Sequence, residues 1–295
     1  MSRIHEALKK AEQERLASGN EAAAADEAVL VAPVYAPTPI APREGAEPLT
    51  LEAILANCAQ PSWKPEPKTA LMFNGKHVHG AEELRTLRSR LYQIRDRQKL
   101  GVVLITSALP AEGKTFLTAN LGQMIVRQHD RRVLIIDADL RRSQLHQALG
   151  APSEPGLTDY LRGDADELAV IQRGPSDTLF FIPGGTQVSD PAELLAGERM
   201  KGLLARVEPL FDWVLVDSPP SVPVADSSRL ADLCDGVLLV VNSVTTPFDM
   251  AQRARDEFRN KRLLGVVLNR VAPSEGYHSY YYSYYGRSQD RKSKR

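Results

Sequence analysis

The chain has 295 residues, of which 43% are hydrophobic, so its length allows one or two domains with a sizeable core. Its 37 basic and 37 acidic residues cancel, so net charge gives no argument for a nucleic-acid or anionic-lipid ligand. The two cysteines, Cys58 and Cys234, are too few for a disulfide framework or a cysteine metal cluster. No apolar run approaches the ~18 residues that span a bilayer, and the first residues do not resemble a signal peptide. We therefore expect a cytoplasmic protein.

Two segments of unlike composition precede the apolar part of the chain. Residues 1–18 predict a short amphipathic helix, with Ile4 and Leu8 among charged residues. Its apolar face is too narrow to fold alone, so docking on a partner and a frayed terminus both remain open. Residues 19–73 are rich in Ala, Glu and Pro, with eight prolines from Pro33 to Pro67, and they predict a disordered linker.

Residues 74–275 alternate apolar runs with helical patterns. A basic helix is predicted over residues 81–98, and others over 115–128, 142–149, 192–208, 225–233 and 248–259. The runs between them predict strands over 102–105, 133–136, 179–182, 213–216, 236–241 and 263–268. Strands that are nearly continuous Val, Ile and Leu predict an α/β fold, with a mostly parallel sheet covered by helices on both faces. In such sheets ligands bind beyond the carboxyl ends of the strands.

A phosphate-binding loop is predicted after the first strand. A Pro/Gly turn leads to Gly113-Lys114-Thr115 and then to a helical pattern, the context in which this tripeptide cradles phosphate. Backbone N–H groups at a helix N-terminus face the anion, Lys114 reaches the β- and γ-phosphates, and the Thr115 hydroxyl can bind Mg²⁺. The sequence therefore predicts a P-loop site for ATP or GTP with Mg²⁺, lined by residues 111–116: Ala111, Glu112, Gly113, Lys114, Thr115 and Phe116.

The loop departs from the usual pattern at two positions. Ala108 stands where G-x-x-x-x-G-K-[ST] has its first glycine, and Ala111 stands where similar loops usually have another. A left-handed alanine costs about 1–2 kcal/mol, which one residue of a stable domain can tolerate. We therefore expect Ala111 to affect turnover more than nucleotide binding.

Acidic residues follow two other predicted strands. Asp137 and Asp139 end the second strand, and Asp217 ends the strand over 213–216. We predict that Thr115, Asp139 and Asp217 hold Mg²⁺ directly or through water, since Mg²⁺ binds few carboxylates. Asp137 is the candidate base or acceptor-orienting group, so the predicted catalytic residues are Lys114, Asp137, Asp139 and Asp217. Asn269, which ends the last strand, could hydrogen-bond a purine edge or be an ordinary turn asparagine. Arg141 and Arg142 could clamp phosphate or cap a helix.

The C-terminal residues 276–295 contain a cluster of tyrosines. Two-thirds of the nine tyrosines of the chain lie between residues 277 and 285: Tyr277, Tyr280, Tyr281, Tyr282, Tyr284 and Tyr285. Stacking on single-stranded nucleic acid is disfavoured because Lys and Arg do not interleave with them. A flexible tail of phosphate-accepting hydroxyls suits the pattern better, without a nucleic-acid partner. Glu82, Arg85 and Arg88, three residues apart on one helix, are either a solvated charged face or a functional one.

These motifs together resemble a bacterial tyrosine kinase of the P-loop type. The resemblance rests on P-A-E-G-K-T, L-I-I-D-A-D-L-R, V-L-V-D-S-P-P, E-L-R-T-L-R and the tyrosine cluster, with an S-R-I-H-E-A start like that of exopolysaccharide members. It implies ATP-dependent autophosphorylation of the tyrosine tail between subunits of a ring, with Glu82, Arg85 and Arg88 as the oligomerisation motif. It also implies regulation of exopolysaccharide synthesis, a membrane polysaccharide co-polymerase as activator at the inner membrane face, and a cognate tyrosine phosphatase.

Two other functions remain open. A positioning ATPase of the division-site or plasmid-partition type would share the fold, but Leu109 stands where those proteins carry a signature lysine. A nucleotide-dependent scaffold of the polysaccharide machinery would explain the alanines at positions 108 and 111. These three functions predict different products from Mg-ATP.

Overall fold

The computed structural model describes residues 48–66, 69, 80–127 and 131–271. Its strands form one seven-stranded sheet in the order β3-β4-β2-β5-β1-β6-β7. The β3–β4 pair is antiparallel, and the other neighbouring strands are parallel. The strands are β1 (Val102–Ser107), β2 (Val133–Asp137), β3 (Gln172–Arg173), β4 (Leu179–Ile182), β5 (Trp213–Asp217), β6 (Gly236–Asn242) and β7 (Leu263–Asn269). The predicted mostly parallel α/β architecture is confirmed.

Helices cover both faces of this sheet. They are α1 (Leu51–Asn57), α2 (Ala81–Arg95), α3 (Lys114–Val126), α4 (Leu145–Leu149), α5 (Leu157–Arg162), α6 (Glu167–Val170), α7 (Pro191–Ala196), α8 (Glu198–Val207), α9 (Asp226–Ala231) and α10 (Phe248–Glu257), with a 3₁₀ turn at Glu208–Leu210. Helices α2, α3 and α4 pack on one face, and α5 to α9 pack on the other. Every residue of β1, β2, β5 and β6 is therefore buried, which is why these strands are apolar except near their carboxyl ends.

Most element boundaries lie within three residues of their predicted positions, and the exceptions have local causes. The predicted helix over 192–208 is two helices, because Gly197 between them has an extended backbone (φ −74°, ψ 158°). Helices α5 and α6 and strand β3 were not predicted. They are 6, 4 and 2 residues long, too short for a periodic apolar pattern to identify.

The predicted linker over 19–73 extends too far towards the C-terminus. Residues 48–66 belong to the folded domain, and α1 begins after Thr50, whose hydroxyl accepts a hydrogen bond from the backbone N–H of Ala53 at 3.1 Å. Ile54 is fully buried, and the Trp63 ring lies edge-on to Phe181 at 6.0 Å. Two anchors separated by polar and proline residues give no periodic signal, so the sequence pattern missed them. The domain starts well before residue 74.

Several predictions lie outside the described residues. These are the helix over 1–18, the linker over 19–47 and the tail over 276–295 with its six candidate acceptor tyrosines. Within the ranges that the structure describes, no helix is long and apolar enough to cross a membrane.

Candidate active site

The loop between β1 and α3 bends sharply around the start of the helix. Gly113 precedes α3 with φ 93°, and a Cβ there would lie 2.1 Å from the Asn269 side-chain nitrogen. Glycine is thus required at 113 both by its left-handed backbone and by the close approach of Asn269. Ala111 also has a left-handed backbone, with φ 62°. The departure from glycine at this position therefore leaves local strain of about 1–2 kcal/mol in the loop.

Glu112 holds this loop from inside the protein. Its side chain is buried and accepts hydrogen bonds from the backbone N–H groups of Leu109 at 2.7 Å and Asn242 at 3.2 Å, and from the Thr246 hydroxyl. The Asn269 amide nitrogen donates to the Glu112 carbonyl at 2.8 Å. The sequence predicted Glu112 and Asn269 as nucleotide-binding residues, and the structure gives both a role in bracing the loop. The motif could not reveal this, because it leaves position 112 unspecified.

Lys114 begins α3 and lies among carboxylates. It is 9% exposed, and its ammonium group is 2.6 Å from Asp139 Oδ2. Burial alone would lower the pKa of Lys114, but the negative charges of Asp217 and Asp139 outweigh it and raise the pKa. The lysine is therefore held as a cation at the helix N-terminus, where an anion is also favoured.

Asp137 and Asp217 lie side by side at the carboxyl ends of β2 and β5, where they are register partners. Asp137 accepts hydrogen bonds from the Ser143 hydroxyl at 2.7 Å and from the backbone N–H groups of Leu145 and Asp139. Asp217 accepts from the hydroxyls of Thr115 at 2.7 Å and Thr118 at 3.2 Å. Burial raises the pKa of both carboxyl groups above the usual range, and the charge of Asp217 adds to the effect on Asp137.

The structure thus brings together five residues of the predicted site: Lys114, Thr115, Asp137, Asp139 and Asp217. The described residues hold no cluster of three or more His, Cys, Asp or Glu side chains that could bind a metal alone. A hydroxyl and two carboxylates nonetheless suit Mg²⁺, which keeps several waters and takes further oxygens from phosphate.

Three other predicted residues have different surroundings. Arg141 is paired with Asp226, at 2.7 and 3.3 Å, so its guanidinium is engaged beside the site. Arg142 is exposed, and its backbone N–H donates to Asp139 Oδ1 at 3.1 Å. Phe116, in the first turn of α3, is partly buried.

The charged residues of α2 make two kinds of contact, an ion pair on the helix surface and a hydrogen bond to α3. Glu82 and Arg85 form an ion pair on the helix surface. Arg88 donates instead to the carbonyl of Met124 near the end of α3, at 2.9 Å. The Arg88 guanidinium therefore makes a hydrogen bond within the same chain, whereas the Glu82 side chain is exposed.

A mostly parallel sheet with a phosphate loop, a buried lysine and three aspartates at its carboxyl edge defines a P-loop nucleotide-binding domain. The model of the CobQ/CobB/MinD/ParA nucleotide binding domain family matches residues 103–285. Tyrosine-protein kinase YwqD of Bacillus subtilis is 34% identical over 208 residues, which are 70% of this chain and 86% of YwqD. The chain belongs to this nucleotide-binding family and, within it, to the bacterial tyrosine kinases.

Other similarities extend over part of longer proteins or over a domain. Succinoglycan biosynthesis transport protein ExoP of Rhizobium meliloti is 32% identical over 200 residues, 66% of this chain but 25% of ExoP. The kinase domain of Escherichia coli tyrosine kinase ETK has a TM-score of 0.64 and 28% identity, covering 69% of this chain and 82% of that domain. The chain therefore corresponds to the kinase domain of ETK and to about a quarter of ExoP.

Proposed function

We propose that the protein is an ATP-dependent protein-tyrosine autokinase that phosphorylates tyrosines between Tyr277 and Tyr285 of a neighbouring subunit. The observation that carries this proposal is the convergence of Lys114, Asp137 and Asp217 at one end of the sheet. The kinship with proteins named tyrosine kinases supports the reaction class, and six tyrosines within nine residues supply acceptors.

The residues of the site divide the chemistry of phosphoryl transfer among them. Lys114 and the backbone N–H groups at the start of α3 would bind the β- and γ-phosphates and neutralise their charge. Asp137, whose raised pKa suits proton transfer near neutral pH, would orient the tyrosine hydroxyl and accept its proton. For Asp137 to reach an acceptor, the segment around Ser143 must give up the 2.7 Å hydrogen bond to it.

Thr115, Asp139 and Asp217 would hold Mg²⁺, which neutralises phosphate charge when bound. The Thr115 hydroxyl lies 2.7 Å from Asp217, so the two oxygens already face each other. Lys114 would exchange its 2.6 Å contact with Asp139 for the phosphates, freeing that carboxylate. The residues of this chain therefore fit both ATP and Mg²⁺.

We further propose that the protein regulates exopolysaccharide synthesis as a ring-forming homo-oligomer. Exposed Glu82 and its partner Arg85 would contact the next subunit, while Arg88 supports α2 from within. A membrane polysaccharide co-polymerase would recruit and activate the kinase at the inner membrane face, and a cognate tyrosine phosphatase would reverse the modification. The relative named for succinoglycan biosynthesis supports this setting.

Incubation of the purified full chain with Mg-ATP separates the candidate functions. An autokinase labels its own tyrosines, and a phosphotyrosine antibody detects the product. A positioning ATPase releases phosphate without labelling, and a nucleotide-dependent scaffold does neither. Absence of phosphotyrosine both without and with the co-polymerase, in the presence of nucleotide binding measured by calorimetry, would overturn the kinase proposal.

A further inference from the structure

Exposed large apolar side chains are concentrated in one small part of the described chain. Six such side chains are exposed among the described residues. Five of them lie on β7, just after it, on the β6–α10 connection or at the start of α10: Val244, Phe248, Val266, Leu268 and Val271. Their exposed fractions run from 50% to 82%, whereas the sixth, Leu55, is 37% exposed. We call these five residues the β7 strip. Grouped exposed apolar residues of this kind mark interaction surfaces.

The strand register places the β7 part of the strip on the open side of α10. Val266 pairs with Leu239 and Leu268 with Val241, so these side chains point to the same face of the sheet. Leu239 and Val241 are buried there by Ala254 of α10. Since β7 is the edge strand, Val266 and Leu268 lie beyond the cover that α10 provides.

The other members of the strip are attached to the same corner. The backbone N–H of Ser243 donates to the Asn269 carbonyl at 2.9 Å, which holds the β6–α10 connection beside the end of β7. Val244 follows directly, and Phe248 begins α10 with 82% of its surface exposed. The strip therefore borders the loop that Glu112 braces through Asn242 and Thr246.

The last described residue, Val271, belongs to this strip, so the C-terminal residues continue from it. Arg270 has a left-handed backbone, φ 57°, which changes the chain direction after β7, and Val271 is the last described residue. Residues 272–276 then include Pro273 and Gly276, which favour turns, and the tyrosine cluster begins at Tyr277. At about 3.3 Å per residue, residues 277–285 can extend about 26 Å, more than the stretch from Val266 to Val271 requires.

We propose that the segment Tyr277–Tyr285 docks in cis on the β7 strip of its own subunit. A tyrosine ring buries its apolar body while its hydroxyl stays in water, which suits a shallow, exposed strip. A short connection also gives the segment a millimolar effective concentration, which favours it over a second copy. The inference rests on the proposed function, because the docked segment holds the acceptor tyrosines, which would leave the strip to reach the site of a neighbouring subunit. Added phosphate would then oppose renewed docking by its charge.

Amide hydrogen exchange of the unphosphorylated full chain, without ATP, tests the docking. We expect residues 277–285 to exchange at least several-fold more slowly than an unstructured peptide of the same sequence. The exchange rate should be the same at about 1 µM and at about 50 µM protein. A double variant, Phe248→Ser with Leu268→Thr, should remove this protection. Leu55→Ala, the matched change at the exposed apolar residue outside the strip, should leave it intact.

Three results would overturn the proposal. They are exchange at the unstructured rate in the natural chain, protection that grows with protein concentration, and protection that survives the double variant. The second result would assign the strip to another copy. Because exposed positions are changed, an unaltered far-ultraviolet circular dichroism spectrum checks folding, and Val266→Thr is a milder replacement. The experiment contains no nucleotide, so it can fail or succeed independently of kinase activity.

Discussion

Two buried carboxylates stand near the carboxyl edge of the sheet, Glu112 in the phosphate loop and Asp137 at the end of β2. Each accepts hydrogen bonds from two backbone N–H groups and one hydroxyl. Their neighbours differ, because Asp137 adjoins Asp217 and the charge of Lys114, whereas Glu112 is surrounded by its donors from the loops. Burial and hydrogen bonding alone therefore do not mark a reactive carboxylate. In the proposed mechanism, the charged neighbours at the phosphate loop are what distinguish Asp137, the acceptor-orienting group, from Glu112, the brace.

The largest effect is expected at the cation that defines this charged environment. Lys114→Met should reduce tyrosine labelling by about a hundredfold or more, because phosphate charge is no longer neutralised. Labelling with Mg-ATP, followed by phosphotyrosine detection, measures it. Lys201→Met, at an exposed lysine 3.8 Å from Glu198, is the matched control and should label normally. Labelling by the Lys114 variant within tenfold of the natural chain would contradict the account.

Asp137→Asn keeps the shape of the side chain and removes its charge. We expect labelling to slow by about a hundredfold and ATP affinity to change little, because the group acts on the acceptor. Ser143→Ala removes the 2.7 Å hydrogen bond that must open but leaves the carboxylate, so labelling should stay unchanged or rise a few-fold. Equal losses in both variants would make Asp137 a brace like Glu112. Single-turnover labelling and nucleotide titration separate these outcomes.

Glu112→Gln tests whether Glu112 stabilises the phosphate loop and takes no part in the chemistry. An amide cannot accept from all three loop donors, so the free energy of unfolding should fall by about 1–3 kcal/mol. Labelling of the folded variant should fall much less than in Asp137→Asn. Urea unfolding measures the stability, with Glu83→Gln on the exposed side of α2 as the control. A Glu112 variant with natural stability but no activity would place Glu112 in the chemistry instead.

Ala111→Gly should have the smallest effect. Because Ala111 has φ 62°, glycine should relieve about 1 kcal/mol of strain and raise turnover or ATP affinity several-fold. Steady-state kinetics measures both. A decrease in activity together with affinity would mean that the alanine is adapted to this loop.

The sequence predicts the fold best at the strands that helices cover on both faces of the sheet. The apolar runs of β2 and β5 are predicted because both faces of the sheet are covered, and Asp137 and Asp217 end these two strands at the same edge. The sequence does not predict that single side chains such as Ile54 and Trp63 anchor their segment, because this depends on tertiary contacts and leaves no periodic pattern. The roles of Glu112 and Arg88 are missed for the same reason. Their partners, Thr246 and Met124, are distant in sequence.

Mixing two variants tests whether phosphate passes from ATP to the tail of a neighbouring subunit. One carries Lys114→Met and keeps its tyrosines, and the other has the six clustered tyrosines replaced by Phe. We predict that neither variant labels alone within the cluster, and that the mixture labels Tyr277–Tyr285 of the Lys114→Met chain, as mapped by mass spectrometry. Adding Glu82→Ala and Arg85→Ala to both chains should remove that label. A mixture that stays unlabelled, while the natural chain labels its tail, would contradict transfer between subunits.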